Sequence, residues 1–94
     1  MASKAILFTK EDCVPCSQTK LFISDVCDEQ LVHDHLVVMK KENHSALVAA
    51  YELDLFPTLL LVNSQGEESS RVVGGLNIRT QLPYILKGLE EAGN

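Results

Sequence analysis

Cys13-Val14-Pro15-Cys16 places two thiols three residues apart, directly after a short apolar run and directly before a segment of helical periodicity. Thiols this close can interconvert between dithiol and disulfide, and the thiolate is the form that attacks another disulfide. Ala5-Ile6-Leu7-Phe8 reads as a buried strand and residues 17–27 as a helix, so Cys13 falls where strand gives way to helix. Unpaired backbone N–H groups at a helix N-terminus favour negative charge on such a sulfur. Cys16, within the first turn, is near enough to resolve a mixed disulfide formed at Cys13. Pro15 suits the first turn because its missing N–H is not needed there. The helix end and Lys10 should draw the Cys13 pKa from about 8.5 toward about 7, while Glu11 and Asp12 act in the opposite sense.

A metal pair is the rival reading of two nearby cysteines. Zinc needs two further ligands, for which His33, His35, His44 and Cys27 are the candidates. His33 and His35 would share one face of a regular strand, but there is no second Cys-x-x-Cys and no His-x-x-x-His; an iron–sulfur cluster bridging two chains is the other metal reading, and the redox reading is preferred to both. Each histidine taken singly reads as a solvated surface residue. Cys27 lies eleven residues after Cys16, about 16 Å along a helix axis, too far to bridge to either cysteine. With Phe22, Ile23 and Val26 it fits the buried side of that helix as a small core hydrophobe.

The elements that must position the dithiol follow from periodicity. After the first helix, polar residues around Asp28-Glu29-Gln30 end it, and His35-Leu36-Val37-Val38-Met39 reads as a second buried strand. Residues 40–43 are expected to form a loop. Residues 45–53 read as a short amphipathic helix burying Leu47, Val48, Tyr51 and Leu53, with Asn43 or Ser45 as its cap. Thr58-Leu59-Leu60-Leu61-Val62 is a third strand, Asn63-Ser64-Gln65-Gly66 a turn, and residues 69–73 a fourth strand that closes a hairpin. Ile78, Leu82, Ile85, Leu86 and Leu89 form the apolar stripe of a last helix. An interior proline costs about 3 kcal/mol, so Pro83 favours a helix capped at Thr80 over one capped at Asn77. The order β-α-β-α-β-β-α is an α/β domain over residues 1–94: a four-stranded mixed sheet flanked by three helices, with a parallel crossover first and a hairpin last.

Ninety-four residues suffice for one core, and 46% hydrophobic residues with three prolines exclude both a disordered chain and a disulfide-dense mini-protein. A net charge of −5, with no basic cluster longer than Lys40-Lys41, argues against nucleic acid or anionic membrane as partner. The four apolar residues after Lys4 are too few for a signal peptide or a membrane span, and the expected compartment is a reducing cytoplasm. In that setting a Cys-x-x-Cys pair is catalytic or metal-binding rather than a structural staple.

Phe56-Pro57-Thr58 followed by Leu59-Leu60-Leu61-Val62, the Gly66 turn and Val73-Gly74 before the last helix, together with Cys13-Val14-Pro15-Cys16, resemble the thioredoxin and glutaredoxin superfamily over essentially the whole chain. The second half is closer to thioredoxin. The first half starts almost at the core strand, as glutaredoxins do, and the chain also resembles the small glutaredoxin-like thioredoxins that reduce ribonucleotide reductase. The resemblance implies a minimal thioredoxin fold and a monomeric thiol–disulfide oxidoreductase with no cofactor beyond the Cys13–Cys16 couple. Cys13 would attack and Cys16 resolve. Val14, Pro15, Phe56, Pro57 and Gly74 would form the substrate surface, with Pro57 cis and facing the dithiol and the Phe56 backbone pairing with an extended substrate segment. Gly74 and Gly75 would let a partner backbone approach.

The departures bear on mechanism and electron donor. Asp12 and Val14 stand where thioredoxins usually carry Trp and Gly, and Leu7 stands where they bury a proton-shuttling Asp, leaving solvent, Glu11 or Asp12 for that task. Pro15 is the thioredoxin choice, where glutaredoxins have Tyr. The acid that helps glutaredoxins hold glutathione after a Gly-Gly pair is replaced by Leu76-Asn77-Ile78. These features favour thioredoxin reductase as donor and protein disulfides as substrates, ribonucleotide reductase among them. A glutathione-dependent dithiol glutaredoxin and a binding subunit with incidental redox chemistry are the alternatives.

Overall fold

The computed structural model describes residues 3–92. Strands β1 (Lys4–Thr9), β2 (Leu36–Lys40), β3 (Thr58–Val62) and β4 (Glu68–Val73) form one sheet in the order β2-β1-β3-β4. β2 runs parallel to β1, with Ala5 beside Leu36 and Thr9 beside Lys40, while β3 runs antiparallel to it, with Phe8 beside Thr58. β4 returns antiparallel to β3, with an irregularity between Leu61 and Val62. This is the expected mixed sheet of the minimal thioredoxin fold.

Both faces of β1 are covered, which explains why its apolar run is continuous rather than alternating. Ala5 and Leu7 join Leu59, Ile23, Leu36, Ile78, Leu82 and Leu86 in one core cluster. Ile6 and Phe8 join Leu53, Leu60 and Val62 in a second, against which Leu47, Val48, Tyr51 and Phe56 pack. The four helices are α1 (Val14–Val26), α2 (Glu29–His35), α3 (Ser45–Ala50) and α4 (Gly75–Ala92).

Three boundaries depart from the sequence expectation, each for a local reason. α1 begins at Val14, three residues early, because the Cys13 side chain caps it. Val26, expected on the buried side, is 61% exposed, and Cys27 is the C-cap, half-buried against the first cluster. Asp28 does not end the helical region but starts a new helix: its carboxylate accepts the N–H groups of Gln30 and Leu31 at 2.9 and 3.2 Å. His33 and His35 therefore stand on α2 instead of a strand, and four helices flank the sheet instead of three.

The third departure is α4, which starts at Gly75 and carries Pro83 inside it. Thr80 is not a cap; its hydroxyl donates to the Leu76 carbonyl at 2.9 Å. Ile78, Leu82 and Leu86 are fully or almost fully buried on the sheet, and burial of each contributes roughly 1.5–3 kcal/mol. That outweighs the about 3 kcal/mol an interior proline costs. Smaller differences occur at α3, which ends at Ala50 and has His44 as a cap without a side-chain bond, and at Lys41–Asn43, a 3-10 turn in place of a loop. β4 begins at Glu68, one residue early.

Candidate active site

Three residues separate the end of β1 from Cys13, and their conformation aims the chain into α1. Asp12 adopts φ 54, the left-handed region that non-glycine residues rarely occupy. The loop is tied to the start of the 3-10 turn: the Glu11 amide donates to Glu42 Oε2 at 3.2 Å, and Lys40 Nζ lies 3.3 Å from Glu11 Oε1. Desolvation acts to raise the Glu42 carboxyl pKa, but hydrogen bonds from its own backbone amide and that of Glu11, with the Lys41 and Lys40 charges, together hold it below its ordinary range.

Cys13 is the N-cap of α1, with extended backbone, and its Sγ accepts the Cys16 amide at 3.2 Å. The Cys13 carbonyl accepts from Ser17 at 3.1 Å, closing the first turn. Cys13 and Cys16 form a disulfide with their Cα atoms 5.2 Å apart, and they are 8% and 2% exposed. Lys10, expected to tune Cys13, is exposed in the approach loop; the hydrogen bond to the sulfur comes from the Cys16 amide instead. This donor is one of the helix N-terminal N–H groups that the sequence placed at the Cys13 sulfur.

Pro15 is exposed beside Val14, which is 68% exposed, and the Pro15 carbonyl accepts from the buried Thr19 hydroxyl at 2.8 Å. The Phe56–Pro57 peptide bond is cis. Pro57 is buried, and its carbonyl accepts the Gly74 amide at 3.0 Å, joining the entry of β3 to the exit of β4. Gly74 takes φ 94, which suits glycine and turns the chain into α4. Phe56 is half-buried with Lys41 Nζ 5.4 Å from its ring centre, and Leu55 and Leu76 are exposed nearby in the chain.

Three features escaped the sequence reading. Gly75 is the seam between α4 and the dithiol helix: a Cβ there would lie 3.0 Å from Arg79 Nη1, 3.2 Å from Thr19 Oγ1 and 3.3 Å from Pro15 Cβ. Arg79 can swing away, but Thr19 is fully buried and hydrogen-bonded, and Pro15 belongs to the first turn. Gly75→Ala should therefore displace that turn, costing about 1–3 kcal/mol as overpacking does and slowing exchange of the Cys13–Cys16 disulfide with dithiothreitol beyond what the lost stability accounts for. Chemical denaturation beside the exchange rate of the folded fraction checks this; an unchanged rate would contradict it. Thr9 is the second feature, fully buried with no hydrogen-bond partner, and Arg79 Nη1 is the third, buried and equally unpartnered.

Among the described residues no three His, Cys, Asp or Glu side chains gather as metal ligands would, and no helix is long and apolar enough to cross a membrane. Burial raises the Cys27 thiol above its ordinary range.

No protein-family model and no curated protein sequence matches the chain. Solved structures do match in shape. Thioredoxin from Malassezia sympodialis aligns at 17% identity over 93% of this chain and 74% of its own, with a TM-score of 0.72. Mitochondrial thioredoxin 3 from Saccharomyces cerevisiae aligns at 19% identity over 93% and 78%, with a TM-score of 0.73. A thioredoxin from Thermus thermophilus aligns at 21% identity over 93% and 72%, with a TM-score of 0.69. The chain has the thioredoxin fold.

Proposed function

We propose that this protein is a thiol–disulfide oxidoreductase that reduces protein disulfides, with Cys13 as nucleophile and Cys16 as resolving thiol. The observation that carries the reading is the N-cap geometry: the Cys13 sulfur stands at the entrance of a 13-residue helix and accepts the Cys16 N–H, while Cys16 is buried behind it. Such donors stabilise negative charge on the outer sulfur, which is the attacking form.

In the first step the Cys13 thiolate attacks one sulfur of a substrate disulfide, and the other leaves as a thiolate. Cys16 then displaces the bound sulfur, forming the Cys13–Cys16 disulfide and releasing the reduced substrate. Two electrons have moved from the dithiol to the substrate, and no metal or organic cofactor takes part. Val14, Pro15, Phe56, Pro57 and Gly74 form the docking surface. An apolar rim of this kind suits an extended peptide segment.

Thioredoxin reductase is the proposed electron donor, protein disulfides such as that of ribonucleotide reductase the substrates, and the cytoplasm the compartment. The Gly74-Gly75 region supports this donor. Asn77, two residues beyond Gly75, donates its side-chain amide to the Val73 carbonyl at 3.0 Å, and no acid follows to hold the glutathione amine. An unpaired charged end forgoes hydrogen bonds worth roughly 1.5–3 kcal/mol. NADPH-linked reduction of a disulfide substrate should proceed with thioredoxin reductases and only weakly with glutathione and glutathione reductase. Rapid glutathione turnover with none from several thioredoxin reductases would instead make the chain a glutaredoxin.

A further inference from the structure

We propose that the Thr9 hydroxyl donates a hydrogen bond to the Cys16 sulfur once the disulfide opens, holding the resolving sulfur and favouring its negative charge; this rests on the redox reading of the dithiol given above. Three threonines are buried, and two are engaged: Thr19 donates to Pro15 and Thr58 donates to Leu55 at 2.6 Å. Thr9 is 0% exposed, and its Oγ1 has no partner in the disulfide form. A buried hydroxyl left unpaired is costly, so a second state in which it finds a partner explains its retention in the core.

The layering selects that partner. Alternation along β1 puts Thr9 on the face of Ala5 and Leu7, one residue beyond the last β1–β3 pair, Phe8 and Thr58. α1 turns Cys16, Thr19 and Ile23 toward the protein interior. Of these, Cys16 belongs to the turn nearest Thr9, because only residues 10–12 separate Thr9 from the Cys13 cap. The Cys13 sulfur already has the Cys16 amide as donor. Its neighbours along that face of β1, Ala5 and Leu7, are apolar.

When the disulfide opens, the two sulfurs separate to van der Waals contact, and Cys16 remains the more buried of the pair. In the resolving step its proton passes to solvent, and the thiolate displaces the substrate sulfur. The Cys13–substrate S–S bond breaks, the Cys13–Cys16 bond forms, and the departing thiolate takes up a proton from solvent. Thr9 is neither acid nor base in this step; its hydroxyl stabilises the charge on the incoming sulfur.

The test is the equilibrium of the full chain with mixtures of reduced and oxidised dithiothreitol, read for wild type, Thr9→Val, Thr9→Ala and Thr9→Ser. Losing a bond present only in the reduced form should shift Thr9→Val and Thr9→Ala toward the disulfide by roughly three- to tenfold. For a two-electron couple that is about 15–30 mV more negative. Thr9→Ser should stay close to wild type. Thermal unfolding should show the opposite sign in the two redox forms of Thr9→Val: the oxidised form at least as stable as wild type, the reduced form less stable. Unchanged equilibria in Thr9→Val and Thr9→Ala, or a Thr9→Ser shift matching theirs, would overturn the proposal. A wild-type chain whose Cys13 and Cys16 do not exchange with dithiothreitol would sink the redox reading itself, and this proposal with it.

Discussion

Replacing Cys13 by serine is expected to lower disulfide reduction by roughly three orders of magnitude or more, the scale on which enzymes fail when their nucleophile is removed. Cys16→Ser should fail differently. It leaves the attacking thiol and the N-cap backbone in place, so the first exchange proceeds and the product cannot be resolved. Mixed disulfides through Cys13 should accumulate with substrate, visible on a non-reducing gel and absent in the Cys13→Ser chain. Alkylation of the reduced protein at neutral pH should label Cys13 first. Cys27 should lag, because burial raises its thiol pKa and leaves less thiolate at that pH. If Cys16 or Cys27 is labelled faster than Cys13, the assigned roles are wrong.

The dithiol and the sheet were legible in the sequence for the same reason: both are written in short, contiguous stretches. Thr58-Leu59-Leu60-Leu61-Val62 could be delimited to the residue because Pro57 precedes it and turn residues follow. The start of α1 was not, since Cys13 is a capping residue only by virtue of its sulfur accepting an amide, and cysteine is not among the side chains that announce a cap. α2 was missed because Asp28-Glu29-Gln30 reads equally as a helix end or as an Asp cap followed by a new first turn. Only the three-dimensional requirement to bring β2 back alongside β1 decides between them.

The site was less legible than its two cysteines. Gly75 and Thr9 acquire meaning only through packing: Gly75 through Pro15 and Thr19, far away in the chain, and Thr9 through its burial in the layer between β1 and α1. Pro83 shows the converse error, in which a sound local rule was overridden by tertiary packing. Three buried side chains on α4 outweigh one lost N–H and one steric clash.

Phe8→Ala should cost about 3–5 kcal/mol, a large share of the roughly 5–15 kcal/mol that holds a domain of this kind together. Phe8 is fully buried in the central strand and is among the largest side chains of the core. Its ring stands 6.4 Å from that of Tyr51, tilted by 58°, in the cluster that also receives Leu47, Val48 and Phe56. α3 has six residues and no side-chain cap, far below the length at which a helix persists unaided, so packing against this cluster is what keeps it folded. The damage should therefore reach residues 45–57 first, and with them the Phe56–Pro57 segment of the proposed docking surface. Leu82→Ala, a truncation of about 2–5 kcal/mol on the opposite face, supplies the control. Hydrogen exchange should show α3 amides deprotected in Phe8→Ala well before those of α1, and turnover per folded molecule should fall further in Phe8→Ala than in Leu82→Ala. Equal deprotection of α1 and α3, or equal turnover in the two variants, would mean that α3 is not held by this cluster and that the docking loop does not depend on it.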